Sequence, residues 1–262
     1  MRVPIITYHA VGDGPFPLWT SSKLFETHLD AFSKLGYETV SLARVAESLT
    51  AAQALPENAI VLTFDDGYDS VYREAFPRLC AKNFTATIFI VSGYCGGFNQ
   101  WPTQRRSVPI APLLNWDRVS ELVGAGWELG VHTDSHAPLG TLPRGEAEAE
   151  ILKSKEKLEK RVGRPASVFA FPYGDFSASI LRFVQRSFVG AAGTRLGFVQ
   201  ANSNPFMLPR IDACYLTPFL VGSLPTSAFK PYLGLRQTIR ALRGRFSQQW
   251  EPAGVSNTRN SF

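Results

Sequence analysis

Two adjacent carboxylates, Asp65 and Asp66, directly follow the apolar run from Ala59 to Phe64 and precede Gly67. Asp-Gly is a common turn dipeptide, so one interpretation of this motif is a plain turn. The other interpretation is functional. Adjacent residues at a strand end can point in different directions, so one carboxylate can bind a metal while the other faces a substrate. Taken alone, this motif leaves both interpretations open.

Two of the four histidines, His132 and His136, lie four residues apart, directly after a second strand-like run. On a helix this spacing puts both imidazoles on one face, as in many paired metal ligands. Pro138 disfavours helical geometry at Ala137, so we expect a loop or a single turn instead. A solvated loop with incidental histidines is the alternative. Metal binding is favoured because the pair should lie at the same rim as Asp65.

Two imidazoles and one carboxylate make a three-ligand site with open positions, which is typical of a catalytic metal centre rather than a structural one. A metal held in this way lowers the pKa of bound water to about 7 and polarises a carbonyl oxygen. A third motif, Phe169-Ala170-Phe171-Pro172-Tyr173-Gly174, also lies at a predicted strand end. Taken alone it predicts a turn, but beside a metal centre its backbone N–H groups can face a developing oxyanion.

Strand-like and helix-like runs alternate along the chain and must position these motifs. The predicted strands are Val3 to Tyr8, Glu38 to Leu42, Ala59 to Phe64, Thr85 to Val91, Trp127 to His132, Ser167 to Phe171 and Val189 to Ala192. The predicted helices are Ser22 to Leu35, Ala43 to Ala54, Ser70 to Lys82, Asp117 to Gly124, Arg144 to Val162 and Ser177 to Ser187. This alternation indicates parallel βαβ units in one α/β domain. A barrel of about seven strands fits better than an open sheet, and both put the chemistry at the carboxyl ends of the strands.

The order and spacing of the three motifs, over about Val3 to Leu216, resemble the polysaccharide deacetylase family, also called carbohydrate esterase family four or the nodulation-factor deacetylase homology domain. The resemblance implies a distorted parallel (β/α) barrel that removes N-acetyl groups from an amino sugar in a polysaccharide or glycan precursor. It also implies a role for each motif residue. These roles are Asp65 as general base, the Tyr173 N–H as oxyanion donor, and Asp66, His132 and His136 as ligands of a divalent metal, commonly zinc.

The sequence departs from the family pattern in two ways. Many members open the third motif with an arginine that pairs with the catalytic base, whereas this chain has Ala170. Some relatives carry the arginine in a Leu-Pro-Arg stretch, so we assign that role to Arg210; the alternative is a surface ion pair. The late histidine that acts as general acid in many members is also missing. His9 is the best substitute, either as proton donor or as pocket lining, whereas His28 lies in a helical pattern and is interpreted as structural.

The composition narrows the choice of partners and compartment. The net charge of +5 is concentrated near the C-terminus, so the chain is not interpreted as a nucleic-acid binder. Three irregularly spaced cysteines, Cys80, Cys95 and Cys214, predict no disulfide framework. The apolar run at the N-terminus is too short for an export signal. We therefore expect a cytoplasmic enzyme, peripheral to the inner face of the membrane if its N-acetylated glycan substrate is lipid-linked.

Three regions are predicted: a catalytic domain over residues 1–224, a basic helical extension over 225–250 and a disordered tail over 251–262. The extension is interpreted either as a terminal helix packed on its own domain or as an amphipathic helix on an anionic membrane. The segment from Gly93 to Asn115 is predicted to be an irregular insertion. Its aromatic and basic residues suit either a loop packed on itself or a pocket for a phosphate-bearing sugar.

Two other functions stay open at this point. The same fold can serve a deformylase or another amidase. Ala170 and the missing late histidine would also suit a glycan-binding protein that has lost catalysis.

Overall fold

Strands and helices alternate along the chain in the computed structural model, which describes residues 2–51, 53–224 and 229–246. The strands are β1 (Arg2–Val3), β2 (Ile5–Tyr8), β3 (Ala10–Val11), β4 (Trp19–Thr20), β5 (Glu38–Thr39), β6 (Ala59–Phe64), β7 (Thr87–Ile90), β8 (Glu128–Val131), β9 (Val168–Ala170), β10 (Gly190–Leu196), β11 (Val199–Gln200) and β12 (Leu208–Asp212). The helices are α1 (Ser22–Lys34), α2 (Leu42–Thr50), α3 (Phe76–Cys80), α4 (Trp116–Gly124), α5 (Arg144–Val162), α6 (Ala178–Ser187), α7 (Pro218–Val221) and α8 (Phe229–Phe246). A π-helical turn, Val71–Ala75, leads into α3.

Seven parallel strands close into a barrel within the described residues. Their order is β2-β12-β10-β9-β8-β7-β6, and β6 pairs back with β2. The closing ladder runs from the pair Ile5–Val61 to the pair Tyr8–Phe64 without a shift of register. The predicted single-domain α/β barrel of about seven strands is therefore confirmed.

One strand of the barrel differs from the prediction. The predicted strand from Glu38 to Leu42 forms β5, which pairs with the start of β6 and stands outside the closed ring. The ring is completed instead by β12, which was not predicted as a strand because Pro209 lacks the N–H group for a ladder hydrogen bond. The β10–β12 ladder is irregular between Leu208 and Arg210, where this proline lies. The irregularity accommodates a proline inside a closed sheet.

The alternation of side chains along β6 aims the first motif into the barrel mouth. Ile60 and Leu62 pack outward in the cluster shared with the surrounding helices. Val61 belongs to the separate cluster that fills the barrel interior. Because side chains alternate with a period of two, the inward face continues from Val61 through Thr63 to Asp65. The Asp65 carboxylate therefore lies at the carboxyl end of the barrel, above its apolar interior.

Helix α2 closes the opposite, amino-terminal end of the barrel. Leu42 and Val45 of this helix are fully buried in the interior cluster. Glu128, the first residue of β8, accepts hydrogen bonds from the N–H groups of Leu42 and Ala43 at 2.8 and 3.0 Å. These bonds satisfy donors that the first turn of a helix leaves without a helical partner. The carboxyl end is left as the open end of the barrel.

The C-terminal helix α8 packs on the barrel at its first turns. Phe229 is buried, and its ring centroid lies 6.0 Å from that of Phe198. The Tyr232 hydroxyl donates to the Tyr215 carbonyl oxygen at 3.2 Å. This end of the predicted basic extension is thus a packed helix. The predicted domain boundary between residues 224 and 225 borders residues 225–228, which lie outside the described part of the chain. The predicted disordered tail over 251–262 lies within residues 247–262, which are also outside it.

A membrane-spanning helix is not found among residues 2–51, 53–224 and 229–246, because no helix there is both long and apolar enough to cross a bilayer.

Candidate metal and catalytic site

All the residues singled out for chemistry line one cleft at the carboxyl end of the barrel. The cleft has a volume of about 830 Å³. Seven residues that the sequence analysis assigned to the chemistry line this cleft: His9, Asp65, Asp66, His132, His136, Tyr173 and Arg210. They come from separate strand ends, as expected for a parallel barrel.

Asp66, His132 and His136 form a buried cluster with the geometry of a metal site. The Oδ1 atom of Asp66 lies 3.4 Å from Nε2 of His132 and 3.2 Å from Nε2 of His136. The ligand atoms of all three lie within 4.8 Å of one another, and this is the one such group in the described part of the chain. The predicted set of metal ligands is therefore assembled in the fold.

A backbone hydrogen bond orients His132. Its Nδ1 atom lies 2.8 Å from the carbonyl oxygen of Ala170. Because a carbonyl oxygen only accepts, Nδ1 carries a proton, which leaves Nε2 as the nitrogen that faces Asp66 and that a metal would bind. A ligating histidine generally donates its other N–H in this way. Ala170, which replaces the arginine of many family members, thus contributes through its backbone.

The electrostatics of the cluster favour a bound cation. Burial acts to raise the pKa of Asp66, but the charge of His136 and hydrogen bonds from both histidines outweigh it and hold that pKa well below its usual range. Burial lowers the pKa of His136. An ionised carboxylate and two imidazole rings therefore converge on one point. This donor set fits a divalent metal.

Helix α5 holds the loop that carries the two histidines. Lys153 and Lys157 of this helix each pair with the buried Asp134 carboxylate at 2.6 Å. Glu150 accepts from the Ser135 N–H at 2.8 Å and from the Ser135 hydroxyl at 2.9 Å. Asp134 and Ser135, two of the three residues between the ligands, thus anchor the loop, so that it is a fixed turn rather than the solvated loop considered from sequence.

Asp65 is held by Arg210 in a buried, two-point ion pair. Both distances, from Nη1 to Oδ1 and from Nη2 to Oδ2, are 2.8 Å. The Nε atom of Arg210 donates to the Gly193 carbonyl oxygen at 3.0 Å, which fixes the guanidinium in the plane of the carboxylate. Arg210 is only 4% exposed, which excludes the surface ion pair considered as its alternative.

The Arg210 contact sets the charge state of Asp65. Burial acts to raise the pKa of Asp65, but the charge of Arg210 outweighs it, with smaller contributions from His132, from the hydrogen bonds of Arg210 and from His9. The net result is a pKa below the usual value, so the carboxylate is ionised at neutral pH. This is the state that a general base needs.

Several turns at the site have a left-handed backbone. Five non-glycine residues in the described part of the chain have positive φ, and four of them, Asp66 (71°), Thr133 (65°), His136 (57°) and Tyr173 (60°), lie at or beside the metal cluster. Such a backbone costs an L-residue about 1–3 kcal/mol. The surrounding fold therefore forces these turns into conformations that aim the site residues, which is typical of functional sites.

Tyr173 contacts the site in a way that the sequence did not indicate. Its hydroxyl lies 2.8 Å from Nδ1 of His136, and the two rings are edge-on at 4.6 Å between centroids. The turn Pro172–Gly174 places this residue on the cleft wall. The oxyanion role of its backbone N–H stays a prediction.

The two remaining histidines have different settings. His9 directly follows β2 and is half-buried on the cleft wall. His28 is completely buried on α1; its Nε2 atom donates to the Leu216 carbonyl oxygen at 2.6 Å, and its Nδ1 atom accepts from the Tyr8 hydroxyl at 3.0 Å. Burial lowers the pKa of His28 to about 4, so it stays neutral. The structural interpretation of His28 agrees with these contacts.

Other parts of the cleft wall carry only a weak sequence signal. Trp101 and Arg105 of the insertion line the cleft, in agreement with the pocket interpretation of that segment. Phe16 and Trp19, the second of which lies in β4, also line it, although an apolar side chain by itself gives no sign of a site. Arg236 of α8 reaches the same cleft.

Comparisons with known proteins agree with this geometry. The profile of the family described as polysaccharide deacetylase matches residues 52–188, slightly more than half of the chain. The chain is similar to the putative polysaccharide deacetylase YxkH of Bacillus subtilis (strain 168), with 24% identity over 233 residues that cover 88% of this chain and 76% of that protein. It is also similar to a poly-beta-1,6-N-acetyl-D-glucosamine N-deacetylase of Staphylococcus aureus (strain MRSA252), with 26% identity over 171 residues that cover 60% of this chain and 54% of that protein.

Among solved structures, the fold is similar to that of the Streptococcus pyogenes deacetylase PplD in complex with acetate. The TM-score is 0.74 at 23% sequence identity, and the match covers 86% of this chain and 98% of that one. At this identity the similarity concerns the fold. The family profile, which matches more than half of the chain, establishes that the chain belongs to the polysaccharide deacetylase family, and the similar fold agrees with it.

Proposed function

We propose that this protein is a metal-dependent hydrolase that removes N-acetyl groups from an amino sugar in a polysaccharide or glycan precursor. One observation carries the proposal: a buried carboxylate held ionised by Arg210 stands beside the three-residue metal cluster. A base and a metal site at the mouth of one cleft are the two components that metal-assisted amide hydrolysis requires. The Staphylococcus aureus relative, named for deacetylation of poly-beta-1,6-N-acetyl-D-glucosamine, supports an N-acetylated glycan as substrate.

We propose zinc as the metal that Asp66, His132 and His136 hold. Two imidazoles and a carboxylate are a common zinc donor set, and three protein ligands leave room for water or substrate. When bound, such a metal would polarise the acyl carbonyl group and make water more acidic.

The residues around the cluster suit the steps of hydrolysis. Asp65 accepts a proton as water attacks the acyl carbon, and Arg210 keeps that carboxylate ionised beforehand. The Tyr173 N–H donates to the oxygen that becomes negative. His9, on the cleft wall, donates a proton to the nitrogen as the C–N bond breaks. The products are acetate and a free amine.

Two contacts favour the hydrolase over the glycan-binding alternative. That alternative rested on Ala170 and on the missing late histidine. Arg210 pairs with Asp65 from another strand, and the Ala170 carbonyl orients His132. His9 supplies a titratable group in the same cleft.

The cleft wall also supports a phosphate-bearing or lipid-linked substrate. Arg105 and Arg236 line the cleft beside the aromatic residues Phe16 and Trp101. Aromatic rings can pack against a sugar, and guanidinium groups bind phosphate. We accordingly propose a cytoplasmic enzyme that meets its substrate at the inner face of the membrane through the basic residues of α8. Flotation with anionic vesicles should recover the protein and flotation with neutral vesicles should not. No recovery with anionic vesicles would contradict the membrane contact.

The test of function is acetate release from N-acetylglucosamine oligomers, β-1,6-linked polymer and nucleotide- or lipid-linked precursors. The protein is assayed after chelation and again after zinc is restored. We expect acetate release that zinc restores, with the best substrate identifying the glycan. Faster release of formate from N-formyl analogues would support a deformylase instead. No release by protein with stoichiometric zinc would contradict the proposal.

A further inference from the structure

A closed ring of hydrogen bonds joins His136 to the insertion. The His136 Nδ1 atom lies 2.8 Å from the Tyr173 hydroxyl, which lies 2.9 Å from Oγ1 of Thr103. Thr103 Oγ1 in turn donates to the carbonyl oxygen of His136 itself at 3.2 Å. From this ring we infer that Thr103 is a positioning residue of the metal centre, which acts through the Tyr173 hydroxyl to fix the ring orientation and the tautomer of His136.

The direction of each hydrogen bond follows from the number of protons. The single Thr103 hydroxyl proton is used on the His136 carbonyl, which can only accept. The acceptors for the one Tyr173 hydroxyl proton then both belong to Thr103: its Oγ1 atom at 2.9 Å and its carbonyl oxygen at 3.4 Å. The Tyr173 oxygen is left to accept, so Nδ1 of His136 carries the proton. The Nε2 atom of His136, 3.2 Å from Asp66 Oδ1, is therefore the nitrogen that a metal would bind.

The two histidine ligands are thus oriented by different means. His132 donates to a backbone carbonyl, a partner that no substitution at Ala170 removes. His136 depends on two side chains that come from distant parts of the chain, since Thr103 and Tyr173 are 70 residues apart. The second ligand is consequently the one whose position depends on the insertion.

The same segment also packs on the face of the imidazole. The Trp101 ring lies 4.5 Å from the His136 ring between centroids, and Trp101 is almost fully buried. Trp101 restrains the ring face while Thr103 and Tyr173 restrain Nδ1. The insertion is therefore a structural part of the metal centre. It contributes the stretch Trp101 to Thr103 and the cleft-lining residues Gln104 and Arg105.

The inference rests on the proposed metal-dependent function, but it is tested by metal affinity, which is measured without turnover. Thr103→Val removes the hydroxyl at constant shape, and Thr103→Ser retains it. Thr141→Val is the matched control, because Thr141 lines the same cleft and its hydroxyl donates to the Pro138 carbonyl oxygen instead. The zinc dissociation constant of each variant is measured by competition with a chelating dye, and the melting temperature of each metal-free protein checks its folding.

We expect Thr103→Val to weaken zinc binding about 10-fold, the lower end of the effect of a lost outer hydrogen bond to a ligand. Thr103→Ser and Thr141→Val should bind zinc as the wild type does. A wild-type zinc affinity in Thr103→Val, or an equal loss in Thr141→Val, would overturn the inference. If no substrate were ever hydrolysed, the affinity ratio between the variants would still decide the role of Thr103.

A double-mutant cycle tests whether Thr103 acts through Tyr173. Tyr173→Phe removes the hydroxyl that both His136 and Thr103 contact, so zinc binding should weaken at least as much as in Thr103→Val. The double variant should then bind zinc no more weakly than Tyr173→Phe alone, because both substitutions break one ring. Losses that multiply would show two independent contributions and contradict the ring.

Discussion

Arg210 binds both carboxylate oxygens of Asp65 at 2.8 Å, although the two residues are 145 positions apart in the sequence. The pair is buried, and Nε of Arg210 is anchored to the Gly193 carbonyl oxygen. A guanidinium fixed at three points can hold a neighbouring carboxylate both ionised and oriented. The closure of the barrel brings β12 beside β2 and so delivers this arginine to the end of β6.

The first prediction concerns Arg210→Ala. Without the guanidinium, the burial of Asp65 is unopposed and its pKa rises. The acidic limb of the pH profile of kcat/KM should therefore move to higher pH, and activity at neutral pH should fall by about 100-fold, a typical effect of impaired general-base catalysis. Arg210→Lys keeps the charge but loses the two-point geometry, so its profile should lie between the two. An acidic limb that stays in place in Arg210→Ala would show that the arginine does not set the charge of Asp65.

The second prediction concerns the metal ligands. Added zinc should raise the melting temperature of the wild-type protein, since a ligand that binds only the folded state stabilises it by about 4 kcal/mol at 1,000 times its dissociation constant. His132→Ala and His136→Ala should lose most of this gain. His28→Gln, which changes a histidine remote from the cluster, should keep it. Calorimetry with and without zinc measures the effect, and an unchanged gain in His132→Ala would place the metal elsewhere.

The third prediction separates the two roles considered for His9. If His9 donates a proton to the leaving amine, His9→Gln should lower kcat by about 100-fold or more while leaving zinc affinity unchanged. If it only lines the cleft, KM should rise and kcat should stay close to the wild-type value. Steady-state kinetics at saturating zinc distinguishes these outcomes. We expect the loss in kcat.

The fourth prediction concerns the stability contributed by His28. Its pKa is lowered to about 4 in the folded protein, below the ordinary value of 6.5, so the unfolded chain takes up the proton first as the pH falls. This contribution is complete above pH 6.5 and is lost progressively between pH 6.5 and 4, by about 3 kcal/mol in total. Urea denaturation across this range should show a steeper fall for the wild type than for His28→Gln. Parallel curves for the two proteins would contradict the assignment.

The sequence predicted the fold well where one element carries its own pattern. The bounds of β6 and α5 agree with the predicted runs Ala59 to Phe64 and Arg144 to Val162. Parallel strands all direct their carboxyl ends to one side, so motifs at three strand ends had to meet at a single rim. This geometry is why one carboxylate of the first motif, His132 and His136 were recognisable as one site, whereas the choice of Asp66 over Asp65 as the ligand came from the family resemblance.

The parts that the sequence did not predict depend on contacts between distant residues. The sequence did not predict β12, because Pro209 is unfavourable in a strand pattern. In the fold this strand is flanked by β2 and β10. The Ala170 carbonyl that orients His132 has no residue-type signal, since every residue has a carbonyl. The Thr103–Tyr173 contact joins a turn to an insertion that has no periodic pattern. Such contacts follow from the three-dimensional closure of the barrel rather than from local composition.

The central claim is that Asp65 is the base of a metal-dependent deacetylation. The most direct test is acetate release by zinc-loaded wild-type protein and by Asp65→Asn protein shown to contain the same amount of zinc. We predict that the wild type releases acetate from an N-acetylated glycan, that chelation abolishes the activity, and that Asp65→Asn loses at least about 100-fold in kcat at unchanged zinc content. Acetate release by Asp65→Asn at the wild-type rate would contradict the account.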